Sequence, residues 1–518
     1  MKKIYFSLML FATLFVSSCS MDTKPFGALD DQTAIRDKAD LRQFRNNLYT
    51  GFRSATSGGW LYIQDLMMDE FHGVIGNGNR NGEINNGIIL SSNGDIESFW
   101  ASCYSRIAVS NSVIEKADGL LAKEGITDAD KAEIGRYRAE AYFSRAYFYF
   151  FLADHFCQSY TQTNPEAEHS GLPLSVTYNP SGNIAIYPDR STLVETFKLI
   201  QDDLDEAYTG LKAYEASGAS DVANLLSPNS AFLSSYAVEA MQARVALVKG
   251  DWATALAKAK DVIESGRYQL TTIADYAKLW TDDEGTEVIW RPYRDKADEL
   301  GSSTGGAYLS SNNQFCDYLP TYPTLSEYSD DGDCRFEAFF SVNQTLKIEG
   351  SSYVAYQFSK FPGNVALRTS DANNLVNMTK PFRLSEMYLI AAEACARSGQ
   401  DGSQYLNDFL ANRVEDYRSA TYSTDQLLNT TLKQRKLEFI GEGFRMSDLR
   451  RTHQGFTRQA THPEITGAGL PSIDNVIVRA GAGLSYSADD YRYTWPIPKS
   501  ELDANPHLAG QQNPGYAN

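Results

Sequence analysis

YAVEAMQARVALVKGDWATALAKAKDVIESG, residues 236–266, reads as two helices folded back on each other. Ala240, Ala243 and Ala246 line one face of the first segment at helical spacing, and such small side chains let a second helix come close. Lys249-Gly250-Asp251 then makes a tight turn. Trp252, Ala255, Ala259 and Val262 continue the apolar face on the returning segment. A weaker echo is SEMYLIAAEACARSGQDGSQYLNDFLANR (385–413), again Ala-rich before a Ser-Gly stop. Helical spacing also marks 95–122, through Trp100, Ile107, Val113 and Ile114. In 132–156 it falls on Tyr142, Phe143, Ala146 and Phe150, a broad aromatic face of the kind that forms a core. Trp100 and Trp252 lie on such faces and are assigned to the core.

The 236–266 pair is similar to a tetratricopeptide unit, in which antiparallel helices pack through small residues and one aromatic. Its echoes are unevenly spaced, so the fold class expected is mainly α, a scaffold of tetratricopeptide-like helical pairs with long irregular insertions. Two insertions stand out. Residues 69–95, rich in Gly and Asn, read as a loop. Residues 287–336 open strand-like at EVIW and become a long, aromatic, turn-rich stretch, and loops of that length tend to be functional.

The chain opens with Lys2, Lys3 and an apolar run, IYFSLMLFATLFV (4–16), too short to span a bilayer and shaped like a secretory signal. It leads through Val16-Ser17-Ser18 to Cys19, which resembles a bacterial lipobox. Residues 1–18 are then a lipoprotein signal peptide and Cys19 the lipidated first residue of a mature domain, 19–518. Hydrophobic content of 42% and charged content of 22% describe an ordinary globular protein. The formal charge of −18 becomes −20 without Lys2 and Lys3, so no basic track exists for phosphates and nucleic-acid binding is excluded. Beyond Cys19 five cysteines remain, an odd number that prevents complete pairing. Cys316 and Cys334 share one irregular stretch, and a bridge between them stays open at this level.

The motifs for chemistry are weak. Gly301-Ser302-Ser303-Thr304-Gly305 matches G-x-S-x-G but lacks the strand and helix of a nucleophile elbow. GNGNRNG (76–82) has one residue too many for a dinucleotide loop, and SDDGD (329–333) lacks the spaced ligands of a calcium loop. Six scattered histidines form no zinc motif. No catalytic residue, metal or cofactor is therefore expected.

Near the C-terminus stands LKQRKLEFIGEGFRMSDLRR (432–451), a helix running into a Gly-containing turn. Glu438 and Glu442 lie one turn apart, with Arg435 and Arg445 placed to answer them, and Leu437, Phe439, Ile440 and Phe444 directed inward. This segment resembles the signature of the SusD/RagB family of Bacteroidetes outer-membrane lipoproteins, with Met446 where an aromatic is common. FRLSEMYLIAAEACARSG (382–399), YRYTWPIPKSELDANPHLAGQQNPGY (491–516), and RAEAYFSRAYFYFFLADHF (138–156) followed by GLPL (171–174) are similar to further family segments, in the same order. The resemblance implies a non-enzymatic nutrient-binding protein, tethered to the outer membrane through Cys19. It implies a partner, a SusC-like TonB-dependent barrel that receives the captured oligomer. CSMDTKPF carries only Asp22 after the cysteine, fewer acids than surface-exported lipoproteins of these bacteria often show.

The cargo implied is an oligosaccharide or an oligopeptide. Sugars stack C–H faces on aromatic rings while Asn, Asp or Arg reach the hydroxyls. The ligand-facing regions expected are about 57–99 and 287–345. The first supplies Trp60, His72, Asn77 and Arg80; the second supplies Trp290, Tyr293, Arg294, Tyr308, Tyr318 and Tyr322. Each of these side chains has packed loop anchor as its alternative role. LYTGFRSATSGGWLYIQDLMMDEF (48–71) and EVIWRPYR look nearer the RagB side, which handles oligopeptides, and a cationic peptide would meet Asp95 and Glu97. A helical-repeat adaptor without small ligand and a surface hydrolase using Ser303 are the other two readings; neither accounts for both the lipobox and the aromatic loops.

Overall fold

The structure is a computed structural model that describes residues 34–74, 80–294, 309, 316–328, 332–348, 350–368, 374–459 and 483–517. The Cys19 lipobox and the G-x-S-x-G serine, Ser303, lie outside the described residues. The longer elements in chain order are α1 (Lys38–Ala55), α2 (Gly59–Leu66), β1 (Phe71–Gly73), α3 (Gly94–Leu121), α4 (Asp128–Phe156), α5 (Leu193–Glu215), α6 (Ser235–Lys249) and α7 (Trp252–Glu264). After these come β2 (Val288–Trp290), β3 (Tyr318–Pro320), β4 (Phe340–Ile348), β5 (Ser351–Phe358), β6 (Phe382–Arg383), α8 (Leu384–Arg397), α9 (Ser403–Ala411), α10 (Thr424–Phe439) and α11 (Arg445–Arg451).

The α6–α7 hairpin forms as its sequence dictates. Gly250 adopts φ 77°, a left-handed cap that glycine reaches without strain, and its N–H satisfies the carbonyls of Ala246 and Leu247. Asp251 starts the next helix by accepting the Thr254 N–H. Ala240, Ala243, Ala246, Ala255 and Ala259 are fully buried where the two helices meet. Elsewhere Thr192 with Glu195 and Ser423 with Gln426 form capping boxes that start α5 and α10.

Sequential helices pack side by side from α3 through α4, α5, α6 and α7 to α8, which also holds α9 and α10, while α1 lies across α3 and α4. One apolar core runs through this array from Ile35 to Ile497. The helical-pair scaffold is thus the observed architecture, and among the described residues the strands form four antiparallel pairs inserted into it.

The 432–451 segment is a helix, a turn and a second helix, with Gly441 and Gly443 at φ 73° and 80°. A side chain at Gly443 would collide with Gln64, so both its backbone angle and its neighbour require glycine. The expected ion pairs within the segment do not form. Glu438, fully buried, accepts from Arg383 Nη1 at 2.6 Å, Arg413 Nε at 3.0 Å and Tyr276 Oη at 3.1 Å. Glu442 accepts from Lys360 at 2.7 Å and Arg383 Nη2 at 2.7 Å. Arg435 turns to Asp448, and Arg445 makes a two-point pair with Asp69. The reason is burial: a single neighbour one turn away serves an exposed carboxylate, whereas a desolvated one needs several converging donors.

Glu287, also fully buried, accepts from Arg383 and Arg413 at 2.9 and 2.8 Å, so two carboxylates and two guanidinia form a closed cluster. Burial alone would raise the Glu438 carboxyl, but Arg413, Arg383 and Arg335 outweigh it and hold it well below the usual range. Lys360 donates to the Glu438 and Ile440 carbonyls and so closes the C-terminus of α10.

Two expectations need correction, and one open question is answered. Residues 69–95 are not all loop, for β1 and a helical turn at Gly82–Asn85 interrupt them and α3 begins at Gly94. β1 exists because a strand far along the chain pairs with it, which no local pattern announces. Cys316 and Cys334 are free thiols rather than a bridge. Glu438 and Glu442 are answered from other elements, as described.

Two outcomes follow from this core. Glu438→Gln leaves Arg383 and Arg413 short of buried negative charge and should cost about 3–5 kcal/mol in urea denaturation. Asp65 is fully buried, with Oδ2 on the Gly443 N–H and Oδ1 unpartnered. Burial pushes its carboxyl up to about 7 and also raises the neighbouring Glu70. A raised acid favours folding while protonated. Relative to Asp65→Asn, the wild type should therefore lose stability as pH rises from about 4 to 7, by up to about 1.4 kcal/mol per unit. A pH series of unfolding midpoints that is parallel for the two proteins would refute this.

Candidate functional site

β1 and β3 bring the two candidate loop regions together. Phe71 lies opposite Pro320, His72 opposite Leu319 and Gly73 opposite Tyr318. Val74 N–H donates to the Asp317 carbonyl at 2.8 Å and Thr321 N–H to the Glu70 carbonyl at 2.9 Å, extending the pairing at both ends. β5 lies against β3, and Val74, Cys316, Leu319, Leu346 and Ala355 form a small apolar cluster beneath the junction, flanked by Tyr353.

On this platform Arg80 from the first region meets Asp317 from the second. Arg80 Nε donates to Asp317 Oδ2 at 2.7 Å, Nη2 reaches the same oxygen, and Tyr318 Oη donates to the Arg80 carbonyl. Asp317 is buried while the Arg80 side chain is 49% exposed. A guanidinium held from behind by a buried carboxylate is a preoriented donor facing solvent. Beside it Asn81 donates to Asp95 at 3.3 Å, which joins exposed Asp95, at the start of α3, to the same edge; Glu97, two residues on, is half-buried.

The candidates divide by burial. Arg80, Tyr318 and Asp95 lie at the junction, Tyr318 with its ring buried and its hydroxyl on the Arg80 carbonyl. Tyr322 follows β3 and is half-buried against the main core. Tyr293 is exposed, its carbonyl accepting from Arg53 at 3.3 Å, and Arg294 beside it is buried. His72 is fully buried within β1. Asn77 and Tyr308 lie outside the described residues.

Trp290 corrects the expectation that loop tryptophans present free faces. It is fully buried in β2, edge-on to Phe52 at 5.1 Å and stacked near Phe382 at 6.0 Å. Trp60 belongs to α2 rather than to a loop; it is half-buried and packs on Phe99 and Phe151 at 4.7 and 4.6 Å. Position between turn-rich segments placed both rings in loops, but apolar area draws Trp290 wholly into the core and covers Trp60 only in part. Reading the sequence passed over Asp317, although a carboxylate embedded in the aromatic CDYLP stretch was its visible signal.

Among the described residues no group of His, Cys, Asp and Glu has the makings of a metal site, and no helix is long and apolar enough to cross a membrane.

A sequence model described as the SusD family matches residues 207–516, and one described as starch-binding, associating with outer membrane, matches residues 21–223. SusD-like protein P2 of Formosa agariphila is 23% identical over the whole of both chains. A SusD superfamily protein from Bacteroides thetaiotaomicron superposes with a TM-score of 0.74 at 26% identity, over 92% of this chain and all of that one. A SusD-like carbohydrate binding protein from Bacteroides vulgatus superposes with a TM-score of 0.71 at 20% identity, over 92% and 98% of the two chains.

The burial division is testable. Trp290→Ala should cost about 3–5 kcal/mol in thermal or urea unfolding. Tyr293→Ala should stay within about 0.5 kcal/mol of wild type.

Proposed function

The chain belongs to the SusD family, and from that premise we propose that it captures oligosaccharide at the outer membrane and delivers it to a SusC-like TonB-dependent barrel. The observation that carries the reading is the Arg80–Asp317 pair at the β1–β3 junction, the place where both candidate loop regions meet. Its chemistry suits a sugar: a fixed guanidinium beside a carboxylate addresses adjacent hydroxyls, while half-buried Tyr322 and Tyr353 offer apolar surface to ring C–H faces. The description of the second matching family as starch-binding and outer-membrane-associated, and the carbohydrate-binding neighbour of the same fold, support a saccharide over a peptide.

Attachment in this proposal is through a lipid on Cys19, after removal of residues 1–18. The protein acts by binding alone, as the family's described members do. Peptide capture through Asp95 and Glu97 is the competing reading, and the same experiment separates the two.

Calorimetric titration against defined oligosaccharides and defined oligopeptides is expected to give heat with the saccharides only. Arg80→Ala should weaken that binding about 10-fold or more with helicity unchanged, while melting falls because buried Asp317 loses its partner. Heat with peptides alone, lost on Asp95→Asn, would overturn the saccharide reading.

A further inference from the structure

A second, interior cavity of about 120 Å³ lies between α2, α4, α6 and the turn that opens α11, and no residue of β1, β3 or Arg80 lines it. By the same measure that is roughly ten times the space one water needs. Its walls carry the aromatic rings of Trp60, Tyr147, Phe151 and Phe444.

Polar groups in these walls are left open in both senses. Arg435 is 2% exposed, and its Nε donates to Asp448 at 2.9 Å. Tyr147 Oη makes no hydrogen bond within the described residues, and burial, the largest influence on it, pushes the phenol up to about 12, so it remains a donor at neutral pH. Asp154 uses Oδ1 for Ser447 and Arg450, and Glu442 uses Oε1 for Lys360 and Arg383, leaving the second oxygen of each carboxylate open.

We propose that this cavity is a binding site for a single neutral sugar ring, as a free monosaccharide or the end of a chain. Open donors and open acceptors within one aromatic-walled space are satisfied together by hydroxyls, each of which donates and accepts. An organic anion would answer the Tyr147 hydroxyl but face the open oxygens of Asp154 and Glu442. An apolar guest would leave that hydroxyl and those oxygens without partners. The ring's C–H faces meet the aromatic walls. The inference rests on the saccharide reading above and adds a second site to it.

The test is calorimetric titration of the full chain, in a detergent without a sugar headgroup, with glucose, galactose and mannose, and with benzoate as the anionic probe. At least one hexose is expected to bind. Tyr147→Phe, which removes only an unbonded hydroxyl, should weaken it about 3- to 10-fold with melting unchanged, and Arg80→Ala should leave it unmoved. No hexose binding, or equal affinity in Tyr147→Phe, overturns the cavity assignment, as does benzoate binding in place of hexoses. If oligosaccharides alone bind, sensitive to Arg80→Ala but not to Tyr147→Phe, the cavity assignment fails and the proposed function stands. Silence with every saccharide overturns both.

Discussion

The carboxylate of Glu438 has no exposed surface, and donors from three separate parts of the chain converge on it. Arg383 comes from the strand that opens α8, Arg413 from the end of α9, Tyr276 from the segment after α7, and Glu287 beside β2 shares both guanidinia. Removing an ion of this kind from water costs several kcal/mol, which is recovered only when all partners are placed together. Helical pairs alone tolerate sliding along their apolar faces. A closed cluster drawing on five elements does not, so it sets how the array and its inserted strands are registered.

That registration reaches the β1–β3 junction through the turn after α10. Lys360 closes the helix terminus and binds Glu442, Gly443 donates to Asp65 at the end of α2, and Arg445 grips Asp69 just before β1. On the other side of the same segment Arg458 donates to the carbonyls of Leu66, Met68 and Asn85. The first loop region is therefore held from the C-terminal half of the chain at several points. β1 is thereby presented to β3, and Arg80 to Asp317. A binding surface made of insertions gains rigidity from this backing, and a rigid donor loses little entropy when it meets a hydroxyl.

Legibility in the sequence followed burial and distance. Gly250-Asp251 disclosed its hairpin because cap and turn are settled within a few residues. Arg80, Tyr318 and Asp95 were singled out because polar and aromatic residues concentrate in loops, and the structure brings the three to one junction. Trp290 carried the same local signal and lies in the core; its environment is set by Phe52 and Phe382, which no window around it contains. Arg435 stood three residues from Glu438 and answered Asp448 instead, since the buried acid drew its partners from elsewhere. Asp317 escaped notice because its meaning depends wholly on Arg80.

By itself the sequence determined the helical-pair scaffold, its main hairpin, the family and the position of the two long insertions. Those follow from periodicity, capping and motifs, all short-range properties of the chain. Only the tertiary structure decided which charges pair, which aromatic rings are core, that Cys316 and Cys334 stay apart, and that an interior cavity keeps open hydrogen-bonding groups. Those outcomes depend on desolvation, and whether a group loses its water is decided by neighbours that arrive from distant parts of the chain.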